Sequence, residues 1–247
     1  MSDQVDGLPS IGVRVHEHAA ITPALRAGGI EPGRPVAVIV GGAGGMDEST
    51  MAALESLVLD AVVPVLDAHG AAVVDGGTDS GVMRLIGRAR ARRNARFALV
   101  GVAASGTVAI PGDAPAVANP AELEPNHSLF LLVPGTHWGD EAPWIDEVAT
   151  VLAGEHPSVT ILVNGGQIAY QDVEASLRRG RPVVIAKGSG RTADAIAAAR
   201  GASGAPPRDA EIAASPLVTI APIDLPSLFA EAVGSALDGP RHAGDGS

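Results

Sequence analysis

The chain of 247 residues has no cysteine, a single lysine and few aromatic side chains, which make up 2% of the sequence. The absence of cysteine excludes disulfides, thiolate metal sites and a cysteine nucleophile. Hydrophobic residues still make up 46% of the chain, so the core has to be built mainly from alanine, valine, leucine and isoleucine. A chain of this length can bury a real core as one α/β domain or as two small ones, and we predict one.

Several signatures of catalysis and metal binding are also missing. The sequence has no GxxxxGK[ST] loop, which counts against P-loop ATP hydrolysis, and no GxSxG turn, which counts against an α/β-hydrolase. Its seven histidines show no HExxH spacing. We therefore expect no metal site and no required cofactor.

Positive charge is scarce, with 17 basic against 28 acidic residues and a net charge of −11. A nucleic-acid groove needs a positive stripe to neutralise phosphates, so we expect no nucleic-acid partner. A small nucleotide remains compatible, because backbone N–H groups and one or two cations can hold its phosphates. The N-terminus lacks a signal-peptide pattern, and no apolar run approaches the roughly 20 residues of a membrane helix. We therefore predict a cytoplasmic protein without membrane insertion.

Seven short apolar runs alternate with helical patterns along the chain. Their nearly continuous hydrophobicity is typical of strands that helices cover on both faces. The predicted strands are residues 35–40, 71–75, 97–103, 129–133, 159–163, 182–186 and 217–221. This alternation predicts an α/β, Rossmann-like, doubly wound fold with a mostly parallel sheet of about seven strands.

The ends and connections of the predicted domain follow from composition. Residues 11–15 can add an outer strand, and Pro64 is expected to kink or end the helix that contains it. Residues 201–215 are rich in glycine, alanine and proline and predict a long flexible connection. We predict a single domain over residues 1–235 and a flexible tail over residues 236–247.

Glycine-rich loops follow five of the predicted strands. In a parallel sheet these loops meet at the carboxyl edge, where ligands bind. Glycine lets backbone N–H groups approach phosphate oxygens, and a following helix adds its N-terminal N–H groups. The predicted ligand-binding residues are Gly41, Gly42, Gly44, Gly45, Asp75, Gly76, Gly77, Thr78, Gly81, Val82, Met83, Arg84, Gly135, Thr136, Gly165, Gly166, Gln167, Lys187, Gly188, Ser189, Gly190 and Arg191.

A few charged and aromatic side chains in these loops suggest particular roles. Lys187 and Arg191 can neutralise a diphosphate, although a lysine is also common at an exposed strand end. Asp75 or Asp79 can accept hydrogen bonds from ribose hydroxyls, although Asp79 can equally stabilise its own turn. Trp138 can stack on a base or pack against its neighbours, and the two alternatives stay open.

Four stretches, in this order, carry a resemblance to a known family: AVIVGGAGGMD, VVDGGTDSGVMRLIGRA, NHSLFLLVPGTHWGDEAPWI and ILVNGGQIAYQDVEASLRRGRPVVIAKGSGRTADAIA. They resemble the prokaryotic LSDAT branch of the SLOG superfamily, over roughly residues 11–232. That branch is similar to the N-terminal cytoplasmic region of melastatin-type (TRPM) channels. The resemblance implies a homo-oligomer that binds a nucleotide-derived ligand such as ADP-ribose, NAD or cyclic ADP-ribose.

The chain is also similar, more distantly, to LOG-type enzymes, which cleave the base from nucleoside 5′-monophosphates. Their patterns GGGxxGxM and PGGxGTxxE are only partly kept: Asp172 stands where the final glutamate belongs, and Ile168 and Ala169 replace the central Gly-Thr. An arginine that these enzymes use is absent from residues 104–127. The resemblance thus implies binding more strongly than hydrolysis, with Asp172 as the candidate catalytic residue.

Four functions remain open from the sequence. The first is a sensor that binds a nucleotide derivative at the carboxyl edge of the sheet. The second is an N-glycosidic hydrolase of nucleoside phosphates or NAD-like substrates that uses Asp172. The third is an NAD(P)-dependent oxidoreductase that uses Gly42, Gly44 and Asp75, although the glycine loop directly after Asp75 is not needed in such enzymes. The fourth is a scaffold with a vestigial pocket.

Overall fold

The structure is a computed structural model that describes residues 3–42 and 46–239. Gly44 and Gly45 of the predicted ligand-binding set lie outside the described residues, as do residues 240–247 of the predicted tail. The first three residues predicted for the tail, 236–238, belong to the last helix.

Within the described residues, nine strands form one sheet in the order β1-β2-β6-β5-β4-β3-β7-β8-β9. Strand β1 runs antiparallel to β2, and the other neighbouring pairs are parallel. All seven predicted strands are confirmed, and the outer strand predicted over residues 11–15 pairs with β6. The strands are β1 Asp3–Val5, β2 Ile11–Arg14, β3 Val36–Gly41, β4 Ala72–Asp75, β5 Leu99–Ala104, β6 Leu129–Val133, β7 Ser158–Val163, β8 Val183–Lys187 and β9 Val218–Pro222.

The strand order contains one reversal, between β3 and β7. From β3 the chain moves outward through β4, β5 and β6, then returns to pair β7 with the other side of β3 and continues outward through β8 and β9. Loops that leave the two central strands therefore diverge to opposite sides. The crevice between them is where ligands bind in open α/β sheets.

Helices cover both faces of the sheet and divide the core in two. In strand β3, Val36, Val38 and Val40 face one core, whereas Ala37 and Ile39 face the other, as the alternation of a strand requires. Helices α1, α5, α6, α7 and α8 pack on the first face, and α2, α3, α4 and α9 on the second. They span α1 Ile21–Ala27, α2 Glu48–Leu57, α3 Val63–Ala68, α4 Gly81–Arg93, α5 Ala142–Ala153, α6 Gln167–Arg178, α7 Arg191–Ala199, α8 Pro207–Ala214 and α9 Pro226–Asp238.

Helices α2 and α3 are joined by a π-helical turn at Val58–Val62 into one helix from Glu48 to Ala68. The helix does not end at Pro64, because the wider turn just before it accommodates the ring and the missing N–H group. By length and composition alone this helix could cross a membrane, with a mean hydropathy of 1.6. In the fold, Leu54, Leu57 and Leu66 are fully buried in the second core, so the helix is part of the packed domain.

The flexible connection predicted over residues 201–215 is wrong for residues 207–214, whereas residues 201–206 contain no helix or strand. Residues 207–214 form α8, which begins with a proline and buries Ile212 and Ala213 in the first core. Asp209 on the same helix accepts a hydrogen bond of 2.5 Å from the Tyr170 hydroxyl. Helix α8 packs beside α7.

Candidate functional site

A cleft of about 680 Å³ lies at the carboxyl edge of the sheet, at the reversal between β3 and β7. Its size falls within the range of roughly 300–1,000 Å³ that small-molecule sites occupy. Among the described residues it is lined by Ile39, Val40, Gly41, Gly42, Gly76, Thr78, Ser80, Met83, Ala103, Ala104, Thr107, Trp138, Glu141, Ile145, Gly166, Gln167, Ile168, Ala169, Asp172 and Arg191.

One wall of the cleft combines hydroxyl groups with the start of α4. The hydroxyls of Thr78 and Ser80 are 3.0 Å apart and hydrogen-bonded to each other. Ser80 is the N-cap residue of α4, but its side chain does not cap the helix. The N-terminus of this 13-residue helix carries partial positive charge and favours an anion. This wall is therefore suited to a phosphate group.

The loop that carries this wall is held from below through Gly77. The Gly77 N–H donates to Asp75 Oδ1 at 2.7 Å, and the Gly77 carbonyl accepts from the Glu124 N–H at 2.9 Å. Gly77 has a φ of +69°, and a Cβ there would lie 3.0 Å from the Gly101 Cα and 3.2 Å from the Phe130 ring. Both backbone groups of Gly77 are thus engaged by the protein, and its role is to shape the loop.

Beneath the loop lies a fully buried cluster of Asp75, His127 and Glu124. His127 Nε2 is 2.9 Å from Asp75 Oδ1, and His127 Nδ1 is 2.9 Å from Glu124 Oε2. Burial by itself would lower the pKa of His127, but the two carboxylates outweigh it and raise the pKa to about 9. The imidazole is therefore held as a cation between two acids. Glu124 can approach because Gly87 of α4 has no side chain, since a Cβ there would meet Glu124 Oε2 at 2.1 Å.

The opposite wall carries two carboxyl groups, Glu141 at the start of α5 and Asp172 on α6. Desolvation, followed by the negative charges of Glu141 and Asp146, raises the pKa of Asp172 to about 7. Desolvation also raises the pKa of Glu141. Among the described residues, no donor is hydrogen-bonded to the Asp172 carboxylate. Acids with raised pKa values in a cleft are candidates for proton transfer or for binding polar ligands.

Arg191 is the cationic side chain that lines the cleft in the described part of the chain. Its guanidinium packs over Gly166, where an added Cβ would lie 3.0 Å from Nη2. Arg191 has a φ of +44° and Asn164 one of +57°, conformations uncommon for residues with side chains. The Asn164 side-chain amide donates to the Gly42 carbonyl at 3.0 Å and thereby ties the β7 loop to the β3 loop. Such strained positions tend to cluster at functional sites.

Trp138 extends from a tight loop at the mouth of the cleft and is 46% exposed. The loop is held by Asp140, whose carboxylate accepts from the N–H groups of Thr136 at 2.8 Å and His137 at 3.0 Å. Trp144 packs edge-on against the ring of His18, with centroids 4.6 Å apart. The indole of Trp138 is therefore presented on a fixed loop and is open to stacking.

The structure brings together nine of the positions predicted from the sequence as ligand-binding or catalytic. The positions lining the cleft are Gly41, Gly42, Gly76, Thr78, Met83, Gly166, Gln167, Asp172 and Arg191. The other described positions lie beside it, in the core or in the supporting loops: Asp75, Gly77, Gly81, Val82, Arg84, Gly135, Thr136, Gly165, Lys187, Gly188, Ser189 and Gly190.

The positions outside the cleft have contacts that explain their placement. Arg84 pairs with Asp79 at 2.7 Å instead of extending to the pocket. The Ser189 hydroxyl is buried and bridges the Asn164 N–H and the Ala186 carbonyl. Lys187 is exposed at the end of β8, one strand beyond the reversal.

Sequence reasoning missed three residues that shape the site. Glu141 follows a glycine loop at the same sheet edge, so its position after a predicted strand was the available signal. His127 and Glu124 had no usable signal, because they meet Asp75 only through the pairing of β4 with β5 and of β5 with β6. Among the described residues, no group of histidines and acids could hold a metal ion.

A second cavity, of about 590 Å³, lies at the opposite, amino edge of strands β7 to β9. Its two arginines, Arg179 and Arg181, are each paired with Asp146 at 2.9 Å. It contains none of the glycine loops and lacks the paired carboxyl groups. The cleft at the carboxyl edge is therefore the better candidate for a functional site.

Residues 34–230 match the sequence profile of a family described as LSDAT_prok, SLOG in TRPM, prokaryote. The chain belongs to this family. The match spans both walls of the cleft, and it confirms the resemblance drawn from the glycine loops.

The SLOG chain is similar to curated TRPM channels from two mammals. It is 30% identical over 179 residues to the transient receptor potential cation channel subfamily M member 2 of Mus musculus. The Rattus norvegicus protein of the same name is 29% identical over 179 residues. Each alignment covers 58% of this chain but 12% of the channel, so the chain corresponds to a small part of these relatives.

The fold has a solved counterpart in the crystal structure of TM1055, a structural genomics target. The two superpose with a TM-score of 0.51 and 18% sequence identity, over 81% of this chain and 99% of TM1055. At this identity the likeness concerns the fold, and it confirms the α/β, Rossmann-like architecture.

Proposed function

We propose that this SLOG domain binds a nucleotide-derived ligand that carries phosphate and ribose, such as ADP-ribose, NAD or cyclic ADP-ribose, and acts as a sensor for it. The observation that carries the proposal is the division of the cleft into two walls. One wall has paired hydroxyls at the N-terminus of a long helix, and the other has two carboxyl groups. Phosphate suits the first wall and ribose hydroxyls suit the second.

The remaining lining residues support the same class of ligand. Arg191 offers a guanidinium for a second phosphate oxygen or a diphosphate. Ile39, Met83 and Ile145 provide apolar surface, and Trp138 offers an exposed ring for a base. The oxidoreductase alternative has less support, because Asp75, which would have to hold a ribose, is fully buried and bonded to His127.

A thermal-shift and calorimetric screen with ADP-ribose, NAD, cyclic ADP-ribose and AMP tests the proposal. A ligand at about 100 times its Kd stabilises the folded state by about 2.7 kcal/mol. For a domain of this size we expect the melting temperature to rise by about 5–10 °C. Failure of all four compounds to stabilise the protein would contradict the proposal.

Intrinsic fluorescence supplies a local readout, because the chain has only two tryptophans. In a Trp144→Phe variant the exposed Trp138 is the single reporter, and it lies at the cleft. Saturable quenching by a ligand indicates binding beside Trp138. The matched Trp138→Phe variant retains Trp144, which packs on His18, and should not respond.

A hydrolase is the second candidate, and the raised pKa of Asp172 is the observation that favours it. A carboxyl group with a pKa of about 7 can exchange a proton at neutral pH, as N-glycosidic cleavage requires. Product analysis of each ligand that binds separates the two functions. Release of a free base or of nicotinamide that disappears in Asp172→Asn supports the hydrolase, and binding without turnover supports the sensor.

The proposal also covers the location of the protein, its oligomeric state and its partners. We propose that it works in the cytoplasm as a homo-oligomer, without a nucleic-acid partner, a membrane span or a required cofactor. The net charge of −11 supports the exclusion of nucleic acid. Light scattering after size exclusion tests the oligomeric state, and a monomer at micromolar concentration would contradict that part.

A further inference from the structure

We infer that Glu141 and Asp172 together bind the 2′,3′-diol of a ribose, and that Glu141 makes the cleft select nucleotides with a free 2′-hydroxyl over their 2′-phosphorylated counterparts. The inference rests on the proposed function, since it names the class of nucleotide that the same cleft accepts. It depends on where the two side chains lie, on the hydrogen bonds that their carboxylates already accept and on the charges around them.

Glu141 is turned into the cleft by the loop that precedes α5. It is the N-cap residue of α5, yet its side chain makes no capping bond to that helix. Instead, Glu141 Oε2 accepts the Gly139 N–H at 3.0 Å. The carboxylate also contacts its own backbone N–H. The Gly139 bond helps to fix the direction of the carboxylate, and its remaining acceptor sites are left for other donors. The same bond links Glu141 to the loop that presents Trp138.

Asp172 faces Glu141 from the neighbouring helix α6 and is half-buried at the wall of the cleft. In the described part of the chain its carboxylate accepts no hydrogen bond. A partly desolvated carboxylate without protein donors is costly, because it keeps only some of the hydrogen bonds it had in water. The opening of Asp172 onto the cleft means that a ligand can supply those donors.

The chemistry of the missing donors follows from the surrounding charges. Asp172 is faced by Glu141 and Asp146 of the α5 segment, and Asp146 is already paired with Arg179 and Arg181. Glu141 is flanked in sequence by Asp140. Among the residues that the structure describes, the cation lining the cleft is Arg191, which packs over Gly166 just before α6. The carboxyl pair can thus accept hydrogen bonds from neutral or cationic donors and repels a phosphate.

A ribose diol fits these conditions. Its two adjacent hydroxyls can donate one hydrogen bond to each carboxylate, and both bonds are charge-assisted. A phosphate on the 2′-oxygen removes one donor and brings about two negative charges against the pair. A site built to bond a hydroxyl discriminates strongly against analogues that leave its polar groups unpaired.

The test is a set of calorimetric titrations at about pH 8, where Asp172 and the ligand phosphates are mostly ionised. Two matched pairs of probes differ only by the 2′-phosphate: NAD with NADP, and AMP with adenosine 2′,5′-bisphosphate. We expect the member with the free 2′-hydroxyl to bind at least tenfold more tightly in each pair that binds. A preference below tenfold, or tighter binding of the 2′-phosphorylated member, overturns the inference.

The decisive variant is Glu141→Gln, which keeps the size of the side chain and an oxygen to accept the Gly139 N–H. We expect it to weaken binding of the free-hydroxyl probe and to reduce the preference in that pair to below threefold, with a melting temperature no lower than that of the wild type. The matched control is Glu174→Gln. Glu174 is also on α6 but lies outside the cleft, where it pairs with Arg208 of α8, and the substitution removes the same charge. The control should keep the full preference.

The outcomes separate this inference from the proposed function. If none of the four probes nor ADP-ribose binds, the proposed function fails and this inference fails with it. If probes bind but Glu141→Gln leaves the preference unchanged, the inference alone is overturned. If Glu141→Gln and Glu174→Gln reduce the preference equally, the effect is one of net charge, which also overturns the role of Glu141.

Discussion

The buried cluster of Asp75, His127 and Glu124 should make this protein less stable as the pH becomes alkaline. Burial opposes the charge of His127, but the flanking carboxylates raise its pKa from 6.5 to about 9 in the folded protein. In the unfolded chain the imidazole titrates near 6.5. Because the folded pKa is the higher one, the stabilisation is complete below about pH 6.5 and is lost as the pH rises through about 9.

The magnitude follows from the shift. One pKa unit corresponds to about 1.4 kcal/mol, so a rise from 6.5 to about 9 corresponds to roughly 3 kcal/mol of unfolding free energy. Replacing His127 by Gln removes the cation and leaves Asp75 and Glu124 buried without it, which should destabilise the protein by about 3–5 kcal/mol. Against a total of about 5–15 kcal/mol for a typical domain, both effects are large.

Urea unfolding at about pH 6.5, 8 and 9.5, around the two pKa values, measures both effects. We expect the wild type to lose about 3 kcal/mol across this range and His127→Gln to start lower and change little. The control His156→Gln replaces an exposed histidine and should follow the wild type. A wild-type stability that stays flat between these pH values, or a loss below about 1 kcal/mol in His127→Gln, would refute the buried ion cluster.

Three further substitutions test individual features of the cleft. Gly77→Val should abolish binding and lower the melting temperature by several degrees, because the Cβ of the valine would press on Gly101 and Phe130. An unchanged melting temperature in a circular dichroism scan would contradict this. Asp172→Asn should stabilise the protein at about pH 8, by up to about 4 kcal/mol. The reason is that the raised pKa of Asp172, about 7, makes its ionisation oppose folding as the pH rises; urea midpoints no higher than wild type would count against it. Arg191→Gln should weaken nucleotide binding about 10- to 100-fold in calorimetry, the value of one charged hydrogen bond, and an unchanged Kd would remove Arg191 from the site.

Local sequence patterns were sufficient for β2 to β9 and for the ligand edge of the sheet, whereas the three-residue edge strand β1 was not predicted. The runs that form β3 and β6 are short, apolar on both faces and bounded by glycine or proline. Such runs fit a strand that is buried on both faces better than any other element. Once the strands are parallel, the loops after them must share one edge. The glycines at 41, 42, 76 and 166 were therefore found without knowledge of the strand order.

Composition misled where the tertiary contacts of a segment outweigh its local preferences. Residues 207–214 contain few large side chains and follow a glycine-rich stretch, which is typical of a loop. They are helical because Ile212 and Ala213 complete the first core. The stabilisation from this burial comes from contacts distant in sequence, so the local pattern does not reveal it. Pro64 is tolerated for a comparable reason, since the buried residues around it hold the helix together through the π turn.

The sequence by itself determined the α/β class, the parallel strands and the concentration of glycine loops at one sheet edge, because each depends on residues close together in the chain. Only the tertiary structure decided what each loop does. Asp75 meets His127 across 52 positions, and this contact makes it a support of the glycine loop instead of a lining residue. Glu141 meets Asp172 only because α5 and α6 pack side by side at the reversal. Burial and the order of the strands bring these residues together, and both are properties of the folded chain.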